Sequence, residues 1–347
     1  IILGCNFNWN DYKPDYWMAW ANRGLLLFDN FHDYTAALKN WNDGIRQMRE
    51  GTPEYHLGTG CLLQQKGKTY YKQARNNSEY NFSAERCYLQ AEKFLKTHPS
   101  RDRKYYLELL RDIISLYQVM GKNQDATRYL DTGINILEEW IRETPSTADK
   151  IRLAQQFAYF DQLRIDQFAP TNPIYALELA ERRKNLSLRW LKENLYVENF
   201  NGEYLHSQLE KLLSPTTAAI YFHLSPAAIT TFILQNNQVN LFTHETGNHQ
   251  QLQEFTTWMD NWRKNYKDYC EFPGKNQANN QLPNQTEKDN KKDKHPWRQE
   301  MAAQLNQLAE ILQIAKILNH LQQLNNQITE IILIPHRDLH LLPLESL

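Results

Sequence analysis

The sequence predicts a helical-repeat solenoid followed by an α/β sheet domain, and three observations predict it. Large and small residues recur at helical spacing through the first half, short β-branched runs begin after Glu193, and Ile328 to Leu347 reads as a strand and its packing turn. The 347 residues suffice for about two domains of ordinary size.

In the first half, Pro14 is followed by Trp20, Gly24 and Leu27, then by the polar turn Asp29 to Asp33, then by Tyr34, Ala37, Trp41 and Gly44. Small residues such as Gly24 and Ala37 let two antiparallel helices approach, while Trp and Tyr fill the space beside them. The pattern returns with Gly67 and Tyr70, a longer turn Asn76 to Asn81, and Ala84, Tyr88 and Ala91. It returns again, without insertion, as Leu110, Ile114, Tyr117 and Gly121 followed by Ala126, Leu130 and Gly133. A fourth unit pairs a helix Asp149 to Gln167 with one from Asn172 to Glu193, where Ala176, Ala180 and Arg183 take the small-large-small places. Asn172-Pro173 caps that last helix, with Pro where its missing donor costs nothing.

This order of large and small residues resembles the tetratricopeptide repeat (TPR) family, whose period is about 34 residues. The first unit departs from it by one extra residue in its turn. The resemblance implies an α-solenoid whose groove binds a protein or peptide segment, with the Trp and Tyr residues serving as core. A solenoid that only spaces its neighbours is the plainer alternative.

After Glu193 the period changes. Thr217 to Leu224, Ile229 to Leu234 and Val239 to Phe242 read as a strand meander with turns at Ser225-Pro226 and Asn236-Asn237. A helix from Gln250 to Tyr269 carries Leu252, Phe255, Trp258, Met259 and Trp262 on one face. The polar stretch 272–296 reads as a disordered insertion, since it has too few apolar side chains to bury. Its lysines are diluted by Glu287, Asp289 and Asp293 and lack interleaved aromatics, so it reads as a solvated loop and not a nucleic-acid site. An amphipathic helix from Trp297 to Leu324, with leucines spaced by three or four, then leads into the strand Ile328 to Ile334, as in a wound α/β unit.

That last strand is uncharged from Ile331 to Ile334 and is stopped by Pro335, the pattern of a buried central strand. The turn beyond it carries Leu339-His340, Leu342-Pro343 and Glu345 to Leu347. This succession resembles the opening signature of the CHAT family, the caspase-like domain that follows TPR repeats. A run like Ala176 to Arg183 passing into a strand pair resembles the same family. The resemblance implies helical repeats over 1–195 and the N-terminal part of a truncated α/β caspase-like sheet domain over 196–347, with more of that domain expected after Leu347. Ile1 to Asn10 has neither an initiator Met nor the features of a signal peptide, and reads as a second cut. The family's catalytic His and Cys lie on later strands in His-Gly and Ala-Cys contexts, neither of which occurs here. The expected function is thus a repeat scaffold attached to a caspase-like cysteine peptidase. The alternative is a non-catalytic adaptor with a degenerate CHAT domain. A third reading, an unrelated α/β enzyme, is opposed by the strands after Glu193.

Composition narrows the partners. Lysine plus arginine number 39 against 40 aspartate plus glutamate, so no net field draws nucleic acid or an anionic membrane into direct contact. No segment approaches the roughly 18 to 20 apolar residues of a membrane span. The four cysteines, Cys5, Cys61, Cys87 and Cys270, are scattered, which argues for reduced thiols in a cytoplasmic protein and against zinc or disulfides. Cys87, between Ala84 and Ala91, reads as a small core residue. His336 and His340 are four apart but sit in a turn bracketed by Pro335 and Pro343, with no third ligand following. The resemblance makes His340 a fold element, and His223 and His244 read as structural. With 12 glycines there is no phosphate loop, and no Gly-x-Ser-x-Gly elbow occurs. No catalytic, cofactor-binding or metal-binding residue is assigned, no cofactor is expected, and this stretch of chain is expected to be inactive by itself.

Overall fold

The structure is a computed structural model that describes residues 16–52, 54–96, 99–182, 213–235, 238–242, 244, 248–271, 295–325 and 327–347. The expected insertion 272–296, except His295 and Pro296, lies outside them, as do Cys5, Arg183 and the neighbourhood of residue 195. The chain is mostly helical and carries a small mixed sheet in its C-terminal part. It forms two compact units, Ile1–Phe160 and Asp161–Leu347.

The first unit contains α1 (Trp17–Leu25), α2 (Tyr34–Gln47), α3 (Glu54–Gln73), α4 (Tyr80–Leu95), α5 (Pro99–Val119), α6 (Asn123–Glu143), α7 (Thr147–Gln156) and the start of α8 (Ala158–Phe168). Its first three helix pairs are antiparallel. Gly24 meets Trp41 while Gly44 meets Trp20, and Gly67 meets Tyr88 while Gly60 meets Leu95. Between α5 and α6, Tyr117 packs on Tyr129 and Arg103 pairs with Glu143. A methyl group on Gly24 would fall inside the Trp41 ring, and one on Gly67 inside the Tyr88 ring. Trp41 and Tyr88 are fully buried, so neither ring has room to retreat. The Trp41 indole is also held by a hydrogen bond from Nε1 to Thr69 Oγ1 at 3.0 Å, which ties the first pair to α3.

Local chemistry sets the ends of these helices. Asp33 caps α2 by accepting from the Ala36 amide at 2.9 Å, and Ser146 caps α7 by accepting from Asp149. Gly121 takes a left-handed φ of 71° after α5, which lets the Lys122 amide return to the Tyr117 carbonyl at 2.8 Å. The extra residue of the first turn is absorbed by a π-helical continuation of α1, Leu26–Asn30, in which the Phe31 amide reaches the Leu26 carbonyl. The helix expected from Asp149 to Gln167 is two helices, broken at Phe157, whose φ of −108° and ψ of 23° leave the helical region.

The second unit is a four-stranded sheet of β1 (Thr217–Leu224), β2 (Ile229–Gln235), β3 (Gln238–Phe242) and β4 (Glu330–Ile334) in the order β3-β2-β1-β4. The expected meander is present: β1 with β2 and β2 with β3 are antiparallel. β4 returns parallel to β1, with Ile332 opposite Ala219, after α10 (Asn248–Glu271), α11 (Pro296–Ile311) and α12 (Ile314–Leu324). Side chains alternate across the sheet with period two. Ala218, Ile220, Phe222 and Leu224 join Phe255, Trp258, Leu308, Ile317 and Leu339 on one face. Ala219, Tyr221, Phe232 and Leu234 join Ile165, Ala169, Ala176, Leu177 and Ala180 on the other.

Two expectations change here, the unbroken helix 297–324 and the central place of β4. Asn172 does cap the helix 173–182 (α9), accepting from the Tyr175 amide at 3.1 Å. Its small residues Ala176 and Ala180 share one cluster with Ile165 of α8 and Ala169 and with the sheet residues Ala219, Tyr221 and Phe232. The helix belongs to the second compact unit, which begins at Asp161. The single helix 297–324 is interrupted by Gln313 in the left-handed region at φ 55°, which lets α11 and α12 each turn an apolar face to the sheet. Among the described residues β4 is an edge strand, with Ile331 38% and Ile332 36% exposed, and β1 and β2 are the buried inner strands. An apolar run states that a strand is wanted by a core, not which edge of it will be paired.

The interlock makes a testable claim. Gly24→Ala and Gly67→Ala should each cost about 1–3 kcal/mol in denaturant unfolding, because a ring must shift to admit the methyl group. Lys72→Ala, on the exposed side of α3, should change stability by no more than about 0.5 kcal/mol.

Candidate functional site

Two of the described cysteines, Cys61 and Cys87, have the wrong surroundings for a nucleophile. Burial raises the Cys61 thiol pKa, and the carboxylates of Glu108 and Asp102 raise it further. Burial also raises that of Cys87, which sits on α4 among core residues. A reactive thiol needs its pKa lowered by a positive neighbour or a helix start. Cys270 is exposed on α10.

The histidines separate into distinct settings. His340 is exposed on the short 3-10 turn Arg337–Leu341. His336 instead reaches the end of β1, where its Nδ1 accepts from the Leu224 amide at 3.0 Å. Its ring stacks on that of His223, with centroids 5.0 Å apart and planes 14° from parallel. Among the described residues no group of three or more His, Cys, Asp or Glu is placed to hold a metal ion.

Around this stack, at the carboxyl ends of the parallel strands β1 and β4, lies a buried polar cluster. His223 is 1% exposed, and its Nε2 lies 3.4 Å from the Gln162 carbonyl oxygen and 4.0 Å from Asp166 Oδ1. Asp166, on α8, accepts from the Thr230 hydroxyl at 2.7 Å, while its Oδ2 has no hydrogen-bond partner. Burial pushes the Asp166 carboxyl up to about 7, against the lowering effect of bonds from Ser225 and Thr230. Ligands of open α/β sheets collect outside such strand ends. The His223 ring thus lies nearer the Gln162 carbonyl than the Asp166 carboxyl, which stands beyond hydrogen-bond reach.

His244 forms a separate pin. Gln251 Nε2 donates to His244 Nδ1 at 2.9 Å and to the Ile311 carbonyl at 2.8 Å, so His244 Nε2 carries its proton toward Thr231 Oγ1 at 2.9 Å. Burial lowers its pKa to about 4, and the neutral ring joins β2, α10 and α11.

In the helical unit, α3 and α5 share a polar seam. Asp112 accepts from the Gln64 amide and lies 3.4 Å from both Lys68 Nζ and Arg111 Nη2. Ser115 and the Tyr159 hydroxyl bond to each other at 3.0 Å nearby. The Lys68 and Arg111 side chains stay 30% and 43% exposed, so one carboxylate serves two cations that still face solvent.

None of Asp166, Asp112, Lys68 or Arg111 was expected as a site residue. The available signal was a polar side chain interrupting an apolar helical face, as Asp166 does beside Ile165 and Gln64 does after Leu62 and Leu63. No protein family, curated protein or solved structure matches the chain. No helix among the described residues is long and apolar enough to cross a membrane.

Asp166 and His244 make opposite contributions to the pH dependence of stability. A raised carboxyl pKa contributes stability that is full below the unfolded value near 3.9 and is lost as pH rises through about 7. A depressed imidazole pKa contributes stability that is full above the unfolded value near 6.5 and is lost as pH falls toward about 4. In urea titrations Asp166→Asn should therefore gain on the wild type between pH 5 and 8. His244→Gln should lose less than the wild type between pH 6.5 and 4.5.

Proposed function

We propose that the chain is a TPR-type scaffold for protein–protein interaction joined to the N-terminal part of a CHAT, caspase-like, domain. The observation that carries this reading is the repeated interlock of glycine with a buried aromatic in successive helix pairs, at Gly24 with Trp41 and at Gly67 with Tyr88. It is the packing that the large-small pattern of such repeats calls for. The mixed sheet, with β4 parallel to β1 and a Pro335-ended strand running into a leucine-rich turn, supports the second half of the reading. The α3–α5 seam supplies a surface for a partner's carboxylates, through Lys68 and Arg111.

In this reading the peptidase chemistry belongs to residues beyond Leu347. A His there takes the proton of a Cys thiol, and the thiolate attacks the scissile carbonyl. Backbone donors hold the oxyanion, the amine leaves with the proton from His, and water releases the acyl group. The sheet is the platform for that site, and the repeats bring the substrate or a regulator. The alternative is a scaffold whose CHAT domain lacks the dyad.

The test is to express the longer coding region with each downstream Cys changed to Ala, and to assay self-cleavage and cleavage of a peptide library. Cleavage lost with one Cys variant and retained with the others is the expected result. Absence of cleavage from the unmodified protein would leave the adaptor reading in its place. Cys61→Ala and Cys87→Ala should leave cleavage per folded molecule unchanged.

A further inference from the structure

On the second unit, the seam between α10 and α11 opens to solvent as a groove of about 710 Å³ whose walls are side-chain amides. α10 presents Gln253, Thr257 and Asn261 at four-residue spacing, and α11 presents Gln304 and Gln307 across from them. The walls are fixed. Trp258 Nε1 donates to the Gln304 carbonyl at 3.0 Å, and Gln251 ties α10 to the Ile311 carbonyl one end further along. Trp258 stacks on Trp262 at 5.1 Å and 19°, and Trp297 braces Trp262 from the side at 5.2 Å. Trp258 is buried, whereas Trp262 keeps part of its ring at the groove.

Among the described lining residues of this groove the charges have one sign. Glu254 and Glu310 line it from opposite helices, near the crossing made by Gln251, and no Lys or Arg is among its described lining residues. Each amide offers donors and an acceptor, which suits the alternating N–H and C=O groups of an extended main chain. The two carboxylates attract a cation and repel an anion, and the exposed part of the Trp262 ring suits a guanidinium. We propose that this groove binds an extended, arginine- or lysine-bearing peptide segment. The proposal concerns the second unit alone and stands whether or not the repeat or peptidase reading holds.

The experiment uses the whole chain and two labelled hexapeptides, one alternating Arg with Ser and one alternating Glu with Ser, read by fluorescence anisotropy and by tryptophan emission. The Arg peptide should bind and the Glu peptide should not. Changing Glu254→Gln and Glu310→Gln together should weaken binding about tenfold at low salt and flatten its salt dependence. Changing Gln253→Ala and Gln307→Ala together should weaken binding while keeping the salt dependence. All four positions are exposed, and unchanged circular dichroism will confirm that the variants fold. Equal binding of the two peptides, no binding of the Arg peptide at millimolar concentration, or binding indifferent to both double variants would overturn the proposal. So would binding of a neutral oligosaccharide in place of the peptide.

Discussion

Every residue of β1 is buried, and the second unit is built to satisfy that strand. A strand covered on both faces needs a layer of helices on each side. The residues alternating along β1 recruit α8 and α9 to one face and α10 to α12 to the other. The sheet order follows, since β2 and β4 must flank β1 to satisfy its backbone groups. The polar cluster depends on the same placement. His223 on β1 sits next to Asp166 on α8 and His336 after β4 only because those elements converge on the carboxyl end of one buried strand.

In the helical unit the comparable constraint is volume. A glycine on one helix and a full aromatic ring on its partner allow an approach that alanine would prevent, in the first pair at Gly24 with Trp41 and in the second at Gly67 with Tyr88. The Trp41 ring also reaches the next helix through Thr69, which ties the first pair to the second. Such successive packing leaves side chains of α3 and α5 facing each other, and the Asp112 seam forms there.

Much of this was legible in the sequence. The strand Thr217–Leu224 coincides with its β-branched and aromatic run, and the Asn172-Pro173 start of α9 follows from cap chemistry alone. That β4 lies at the edge of the sheet among the described residues was not legible, since strand pairing is a tertiary matter that a short apolar run does not encode. Nor was the break at buried Gln313, a residue type with no preference for the left-handed region. The candidate site was the least legible part. His223, Asp166 and His336 are far apart in the chain, and an isolated His or Asp on an apolar face looks the same whether it is shielded or exposed. The amide groove was hidden for a different reason: Asn and Gln on a helix surface read as solubilising until a second helix faces them.

The scaffold reading stands or falls on whether the helical unit recognises protein segments. The most direct measurement is selection of a random-peptide display library on the whole chain, with the Lys68→Glu, Arg111→Glu double variant run in parallel. The account predicts enrichment of acidic segments by the unmodified chain and their loss with the double variant. Enrichment of the same segments by both proteins, or of none by either, would contradict it.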